Sequence, residues 1–432
     1  MIPASSFRAL GHRNFRLYIA GQGVSITGTW MQQVAMAWLV FQLTGSALWL
    51  GVVGFAGQIP ALFLTPLAGG VIDRSKRHRL LLVTQTLALT QAFALALLTL
   101  SGVVAAWQIV TLALFLGIIN ALDIPTRQSF LSELVGKGQD LANAIAINSS
   151  VFNGARLVGP ALAGLVLFWT NPGICFLING FSYMAVLAAL LAMKLPPRPS
   201  VVSTGALLGR VCEGLVYAWK TASIRSLLVL IGLFNMAGMA ELTLLPVVAK
   251  KDLHGNASTL AALSAAAGAG AFAAAVLLAS RRSIVGLSRW LAAAPVLFAL
   301  GLIAFSFAGV LWASILLLIT TGFSLLLMTA GANTLLQTTV ADDKRGRIMS
   351  LYTMAVTGLS PVGGLLAGLL ANHLGALLTL RLAGLACLGS SALFVLRRTP
   401  HASTPGQSDL VPAAYGERKI VFTAAGLCRK AG

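Results

Sequence analysis

The 432-residue chain is 57% apolar and only 9% charged, and it carries a formal net charge of +19. Soluble domains hold about 25% charged residues, so a water-soluble fold is excluded. The basic excess reads as topology signal and contact with anionic lipid headgroups, and no nucleic-acid partner is expected.

Apolar runs of roughly 20 residues recur along the chain, without the alternating segments of about 10 residues that build a membrane barrel. They predict an all-α polytopic membrane protein with twelve transmembrane helices, at 15–42, 47–72, 80–100, 104–122, 141–168, 173–193, 226–249, 257–280, 289–307, 311–332, 348–370 and 376–396. Arg8, Arg13 and Arg16 precede a first run too long for a signal-peptide core, so it reads as an uncleaved span. Within that span Gln22, Ser25, Thr29 and Gln33 fall along one helical stripe. Such a stripe is unsatisfied in hydrocarbon and is expected to face a wet central cavity.

Between spans 2 and 3, residues 69–81 read GGVIDRSKRHRLL and pack Asp73, Arg74, Lys76, Arg77 and Arg79 into a tight cationic turn. Lys and Arg hold such loops on the cytoplasmic side. Span 4 ends in LDIPTRQSF, with Asp123 and Arg127, and span 5 contains GARLVGPALAGL, with Gly159, Pro160 and Gly164. The connection 194–225 contains Arg210, Glu213, Trp219 and Lys220 and can lie as a helix on the membrane surface. Span 11 contains TGLSPVGGLLAGLL, so Ser360-Pro361 repeats the placing of Gly159-Pro160 about one half-chain later. The repeat predicts a six-helix half at 1–193, a cytoplasmic linker at 194–225, a second six-helix half at 226–398 and a disordered polar tail at 399–432.

With the N-terminus inside, cytoplasmic segments hold 26 of the 30 Lys and Arg residues. Lys250 and Lys251 lie outside, while Arg156 and Arg381 lie within spans. This asymmetry places both termini in the cytoplasm of a bacterial inner membrane. Trp49, Trp107, Trp169 and Trp312 fall at the outer ends of spans 2, 4, 5 and 10, where indole suits the headgroup level.

The four cysteines, Cys175, Cys212, Cys387 and Cys428, have neither paired nor metal-ligand spacing. No metalloprotease, phosphate-loop or nucleophile-elbow motif is present, so neither an enzyme, nor a cofactor or metal site, nor an ATP-driven pump is expected. Gly268 and Gly270 in GAGAFA sit in an apolar span with no preceding strand, and read as close helix packing. The informative groups are the polar ones inside spans, because they are costly in hydrocarbon. Glu241 in span 7, about 22 Å from the span's cytoplasmic end, is either a proton-coupling or cation-recognition carboxylate or a helix-pairing one. Arg156 either binds an anionic substrate, pairs with Glu241 or holds the halves together, whereas Arg381 snorkels to the interface. Asn120, Asn148, Asn153, Asn235 and Asn333 either extend the cavity lining or bond between helices.

Gly69, Asp73, Arg74 and Arg77 resemble the G-x-x-x-D-R-x-G-R-K loop of the major facilitator superfamily, with departures at Lys76 and His78. Asp123 and Arg127, with the run Asp342 to Arg347, resemble the D-x-P-x-R and R-G-R-x-x-S segments of the branch containing enterobactin exporters and macrolide efflux proteins. The resemblance implies two pseudo-symmetric six-helix bundles and a monomeric drug:proton antiporter. It also implies a cytoplasmic gate of Gly69, Asp73, Arg74, Arg77, Asp123, Arg127, Arg345 and Arg347, in which Asp73 meets helix 11 and Arg77 pairs with Asp123. The expected partners are membrane lipid, protons and a small amphipathic substrate. A lysophospholipid transporter, with a lateral opening toward the bilayer, and a non-transporting scaffold or sensor are the alternatives.

Overall fold

The computed structural model describes residues 4–136, 138–193, 222–280, 287–340, 348–349 and 351–396. The surface segment with Arg210, Glu213, Trp219 and Lys220, the run Asp342 to Arg347 and the tail 399–432 lie outside the described residues. A short 3-10 helix, Ala4–Gly11, leads into α1 (Arg13–Thr44), α2 (Ala47–Arg74), α3 (Arg77–Leu100), α4 (Ala106–Val135), α5 (Gln139–Trp169) and α6 (Pro172–Leu191). The second set is α7 (Ala222–Val247), α8 (Ala257–Ser280), α9 (Leu287–Phe305), α10 (Leu311–Thr339), α11 (Ser360–Leu374) and α12 (Ala376–Leu396). Among the described residues there is no strand, as expected where the backbone must satisfy its own hydrogen bonds in hydrocarbon.

Nine helices are long and apolar enough to cross a membrane among the described residues, and apolar Trp290–Phe305 and Ala376–Ala392 are shorter. α1 is long enough at 32 residues, but its Gln, Ser and Thr residues lower its hydropathy. The helix ends follow local chemistry. Gly45 ends α1 in the left-handed region at φ 61°, its N–H donating to the Phe41 carbonyl; only a residue without Cβ adopts this cheaply. Asn171 caps α6, its side chain accepting from Gly173 N–H at 2.9 Å, with Pro172 at the first helical position. Trp107, Trp169 and Trp312 lie exposed at helix ends, consistent with an interfacial place, whereas Trp49 is half-buried against the core.

Helix pairing repeats with an offset of six. α1 packs on α5 and α6, and α7 on α11 and α12; α4 packs on α2 and α3, and α10 on α8 and α9; α3 packs on α6, and α9 on α12. The two bundles meet mainly where α5 crosses α8 and α2 crosses α11.

Glycine sets those distances. A Cβ on Gly268 would lie 2.5 Å from the Arg156 carbonyl oxygen, and one on Gly368 would lie 2.6 Å from that of Ala47. Pro160 lacks the N–H that would bond the Arg156 carbonyl four residues back, so α8 seats its glycine against a carbonyl the helix leaves bare. Gly164 also serves this crossing, a Cβ there meeting Ala261 at 2.7 Å. Gly159 does not: it faces Thr27 and Trp30 of α1, because five residues turn the helix by more than a third of a revolution.

Within the second bundle α8 and α10 are closer still, with Gly270 against the Ile319 carbonyl and Gly322 against that of Ala267. Gly268 and Gly270 thus serve helix packing, as their apolar setting predicts. Gly270→Ala and Gly322→Ala are each expected to cost about 1–3 kcal/mol through backbone displacement, read as a lower thermal midpoint in detergent. Gly389→Ala, where a Cβ meets nothing within 4 Å, is expected to leave that midpoint unchanged or raise it.

Candidate functional site

Polar side chains are gathered in three places. The first lies inside the first bundle. Asp123 of α4 is 1% exposed; its Oδ1 accepts from Thr84 Oγ1 at 2.7 Å and Gln85 Nε2 at 2.8 Å, and its Oδ2 pairs with Arg127 one turn along. Arg127 in turn donates to Gln22 Oε1 of α1 at 2.7 Å.

The expected pair between Arg77 and Asp123 does not form: Arg77 reaches Glu133 at 2.5 Å. The reason is level. α3 and α4 form an antiparallel hairpin, so Arg77 at the start of α3 stands beside the end of α4. Asp123 lies about 15 Å further in, opposite Thr84 and Gln85. Gly69, Asp73 and Arg74 fall in the last two turns of α2, while the side chains of Asp73 and Arg74, and all of Arg345 and Arg347, lie outside what the structure describes.

The second place is a layer of uncharged groups. Gln32 Nε2 donates to Gln91 Oε1 at 3.3 Å, Asn179 Nδ2 donates to Gln32 Oε1 at 2.8 Å, and Ser182 donates to Asn179 Oδ1 at 3.0 Å. Thr29 stands 3.4 Å from the Tyr183 hydroxyl. The α1 stripe therefore divides. Gln22 and Ser25 are buried, Thr29 is half-buried and Gln33 is exposed, while its neighbour Gln32 joins the network. These bonds tie α1, α3 and α6 together inside one bundle.

The third place lies where the bundles face each other. Glu241 of α7 is 3% exposed; its Oε1 accepts from Thr321 Oγ1 of α10 at 3.0 Å, and its buried Oε2 has no hydrogen-bond partner among the described residues. Among the described residues Glu241 forms no ion pair with Arg156 of α5. The Arg156 guanidinium lies 5.5 Å from the centre of the Trp30 ring, a cation–π contact that holds a charge inside a span without neutralising it.

The asparagines contribute less than their residue type promised. Asn153 donates to the Ser149 carbonyl and Asn235 to the Ile231 carbonyl, each one turn back, and Asn333 accepts from Gln337 on its own helix. Asn120 and Asn148 are half-buried. Arg381 does not simply snorkel: it donates to Ser306 Oγ at 3.0 Å and to the Ser306 carbonyl at 3.3 Å, clamping the end of α9 while stacked on Phe307.

Sequence reading missed Glu133, Thr84, Gln85, Gln32 and Thr321. Hairpin counting from the α3–α4 turn finds the first three, since residues equidistant from the turn stand level; nothing local marks the other two.

At the end of the molecule opposite the N-terminus of α1, a π-helical turn, Val248–Asp252, follows α7. It sets Lys250 over the Trp38 ring at 5.9 Å and Lys251 over the Phe41 ring at 5.7 Å. Ser258 also donates to the Gly164 carbonyl at 3.3 Å, and Ser46 to Asn372 Oδ1 at 3.2 Å, so the two bundles are closed together here.

Asp123→Ala leaves the Arg127 charge largely buried without its partner and is expected to cost up to about 3–5 kcal/mol. Asp123→Leu combined with Arg127→Met removes both charges and is expected to recover most of that loss, both read as thermal midpoints in detergent.

Comparison with known proteins agrees with this architecture. The transmembrane secretion effector family matches residues 4–420. The staphyloferrin A transporter of Staphylococcus aureus is 25% identical over 369 residues, covering 85% of this chain and 92% of its own. The multidrug efflux pump Tap of Mycolicibacterium fortuitum is 29% identical over 375 residues, covering 82% and 87%. Among solved structures, a bacterial homologue of the human lysosomal transporter Spinster, inward-facing and occupied, superposes with a TM-score of 0.69 at 13% identity, covering 89% of this chain and 96% of its own. With two six-helix sets among the described residues and this family match, the chain belongs to the transmembrane secretion effectors of the major facilitator superfamily.

Proposed function

We propose that this transporter is a proton-coupled exporter of small amphipathic compounds, working by alternating access between its two six-helix halves. The observation that carries the reading is Glu241: a buried carboxylate in the middle of a span, with one oxygen bonded to Thr321 and the other left without a hydrogen-bond partner among the described residues. A structural carboxylate has both oxygens satisfied. One held half-satisfied gains or loses a partner as the halves move, and that is what coupling a proton to a conformational change requires. Relatives that carry a siderophore and expel drugs support export of amphipathic cargo.

In this reading Gln33 and Arg156 belong to the substrate path, while Gln22, Ser25 and Thr29 hold α1 in its bundle. Gly69, Asp73, Arg74 and Arg77, at the end of α2 and the start of α3, close the cytoplasmic side in the opposite state, while Asp123 and Arg127 hold α4 in its bundle. The basic loops support a cytoplasmic position for both termini at the inner membrane, and a monomer suffices in this reading because both halves lie in one chain. The lysines over Trp38 and Phe41 latch the outer side.

Coupling is tested in acid-loaded inside-out vesicles given a catecholate siderophore, a macrolide or a drug cation. Wild type is expected to release protons on adding a transported compound, and Glu241→Gln to lose that release while still binding the compound. Uptake of labelled compound by wild type without proton release would overturn the coupling.

The latch gives a second expectation. Two cation–π contacts at about 0.5–1 kcal/mol each make Lys250→Ala with Lys251→Ala shift the population toward the outward-open state roughly 5- to 30-fold. Pulsed spin resonance between labels at Val103 and Val310, exposed positions on the outer loops of the two bundles, reads it as growth of a longer distance.

A further inference from the structure

A groove on the flank of the first bundle takes no part in this mechanism. α5 and α6 both pack on α1 but barely on each other. The gap leaves a cavity of about 570 Å³, floored by Gly23, Thr27, Gly28 and Met31 of α1 and walled by Leu162 of α5 and Phe181 of α6. Its mouth opens sideways, with Val24, Leu162 and Phe181 at 53%, 42% and 56% exposed. In a spanning helix such a mouth faces hydrocarbon.

The floor does not end with the cavity. Arg13, Arg16, Ala20, Gly23, Thr27 and Met31 follow one another at spacings of three or four and so share one face of α1. Arg13, Arg16 and Ala20 are exposed. Arg13 also reaches the Ala192 carbonyl just past α6 at 3.4 Å, so the basic end of the stripe stands beside the end of the same helix that walls the cavity.

Dimensions and charge then select the occupant. From Arg16 to Met31 α1 rises about 22 Å, and one leaflet from headgroup to midplane measures about 20–22 Å. Two exposed guanidiniums at one end and an apolar trough at the other match a single amphiphile with an anionic head and a hydrocarbon tail.

We propose that this groove is a binding site for one anionic phospholipid of the leaflet at the N-terminal end of α1, its phosphate on Arg13 and Arg16 and one acyl chain between α5 and α6. That leaflet is the cytoplasmic one in the orientation proposed above. Because α1 and α5 also present Trp30 and Arg156, the lipid braces the helix pair that holds the Arg156 charge.

The test reads lipid retention and involves no transport, so its outcome is independent of coupling and cargo. Detergent-purified protein is delipidated, given equimolar phosphatidylglycerol and phosphatidylethanolamine, and weighed intact by native mass spectrometry. Wild type is expected to retain one phosphatidylglycerol in preference. Arg13→Gln with Arg16→Gln is expected to weaken that retention roughly 30-fold, each charge near the surface being worth about fivefold. Val24→Trp, which fills the mouth, is expected to abolish it, and Leu162→Trp does the same from the other wall should the first variant fail to fold. Val83→Trp, an exposed apolar position on α3, is expected to retain the lipid. Equal retention by the filled variants and wild type would overturn the site. Equal retention of the two lipids, or no change in the double arginine variant, would overturn the anionic head.

Discussion

The two bundles touch along two crossings, α5 on α8 and α2 on α11, and the closeness of those crossings governs what the rest of the molecule can do. Hydrocarbon offers no hydrophobic force to press one apolar helix on another, so association rests on surface fit. Gly268 against the bare carbonyl above Pro160, and Gly368 against the Ala47 carbonyl, let backbone meet backbone. Contacts of this kind carry no side chains that must interlock. They suit an interface that holds its partners together while allowing one to turn on the other.

Polar chemistry is distributed to match. Inside the first bundle it is dense: Asp123, Arg127, Thr84, Gln85 and Gln22 bond among themselves, as do Gln32, Gln91, Asn179 and Ser182, with Gln85 Oε1 and Gln91 Nε2 left over. Such networks fix helix register, since a slip of one residue would bury several unpaired groups at once. Between the bundles the pattern is sparser. Glu241 keeps one oxygen without a hydrogen-bond partner and Arg156 rests on an aromatic face. Rigid bundles with a sparsely bonded boundary are what rocking motion needs.

Two features lie apart from the two crossings. At the end opposite the N-terminus of α1, Lys250 and Lys251 lie over Trp38 and Phe41, contacts between the bundles that are individually weak and so break singly at little cost. On the flank, the trough along α1 opens sideways past Val24, Leu162 and Phe181.

Residue types and their order determined the membrane setting, the helical class, the succession of spans and the exposed helix-end place of Trp107, Trp169 and Trp312, because hydropathy and backbone satisfaction in hydrocarbon act along the chain itself. They also marked Glu241, Arg156, Asp123 and Arg127 as exceptional, since a charge inside an apolar run is costly wherever the run packs. Partners were another matter. That Arg77 meets Glu133, that Gln32 is buried while Gln33 is exposed, that Gly159 backs α1 while Gly164 backs α8, and that Thr321 bonds Glu241 all depend on the rotation and height of one helix against another. Those are fixed by packing between segments distant in sequence, where a turn of 100° per residue separates one neighbour from the next, so only the tertiary structure decides them.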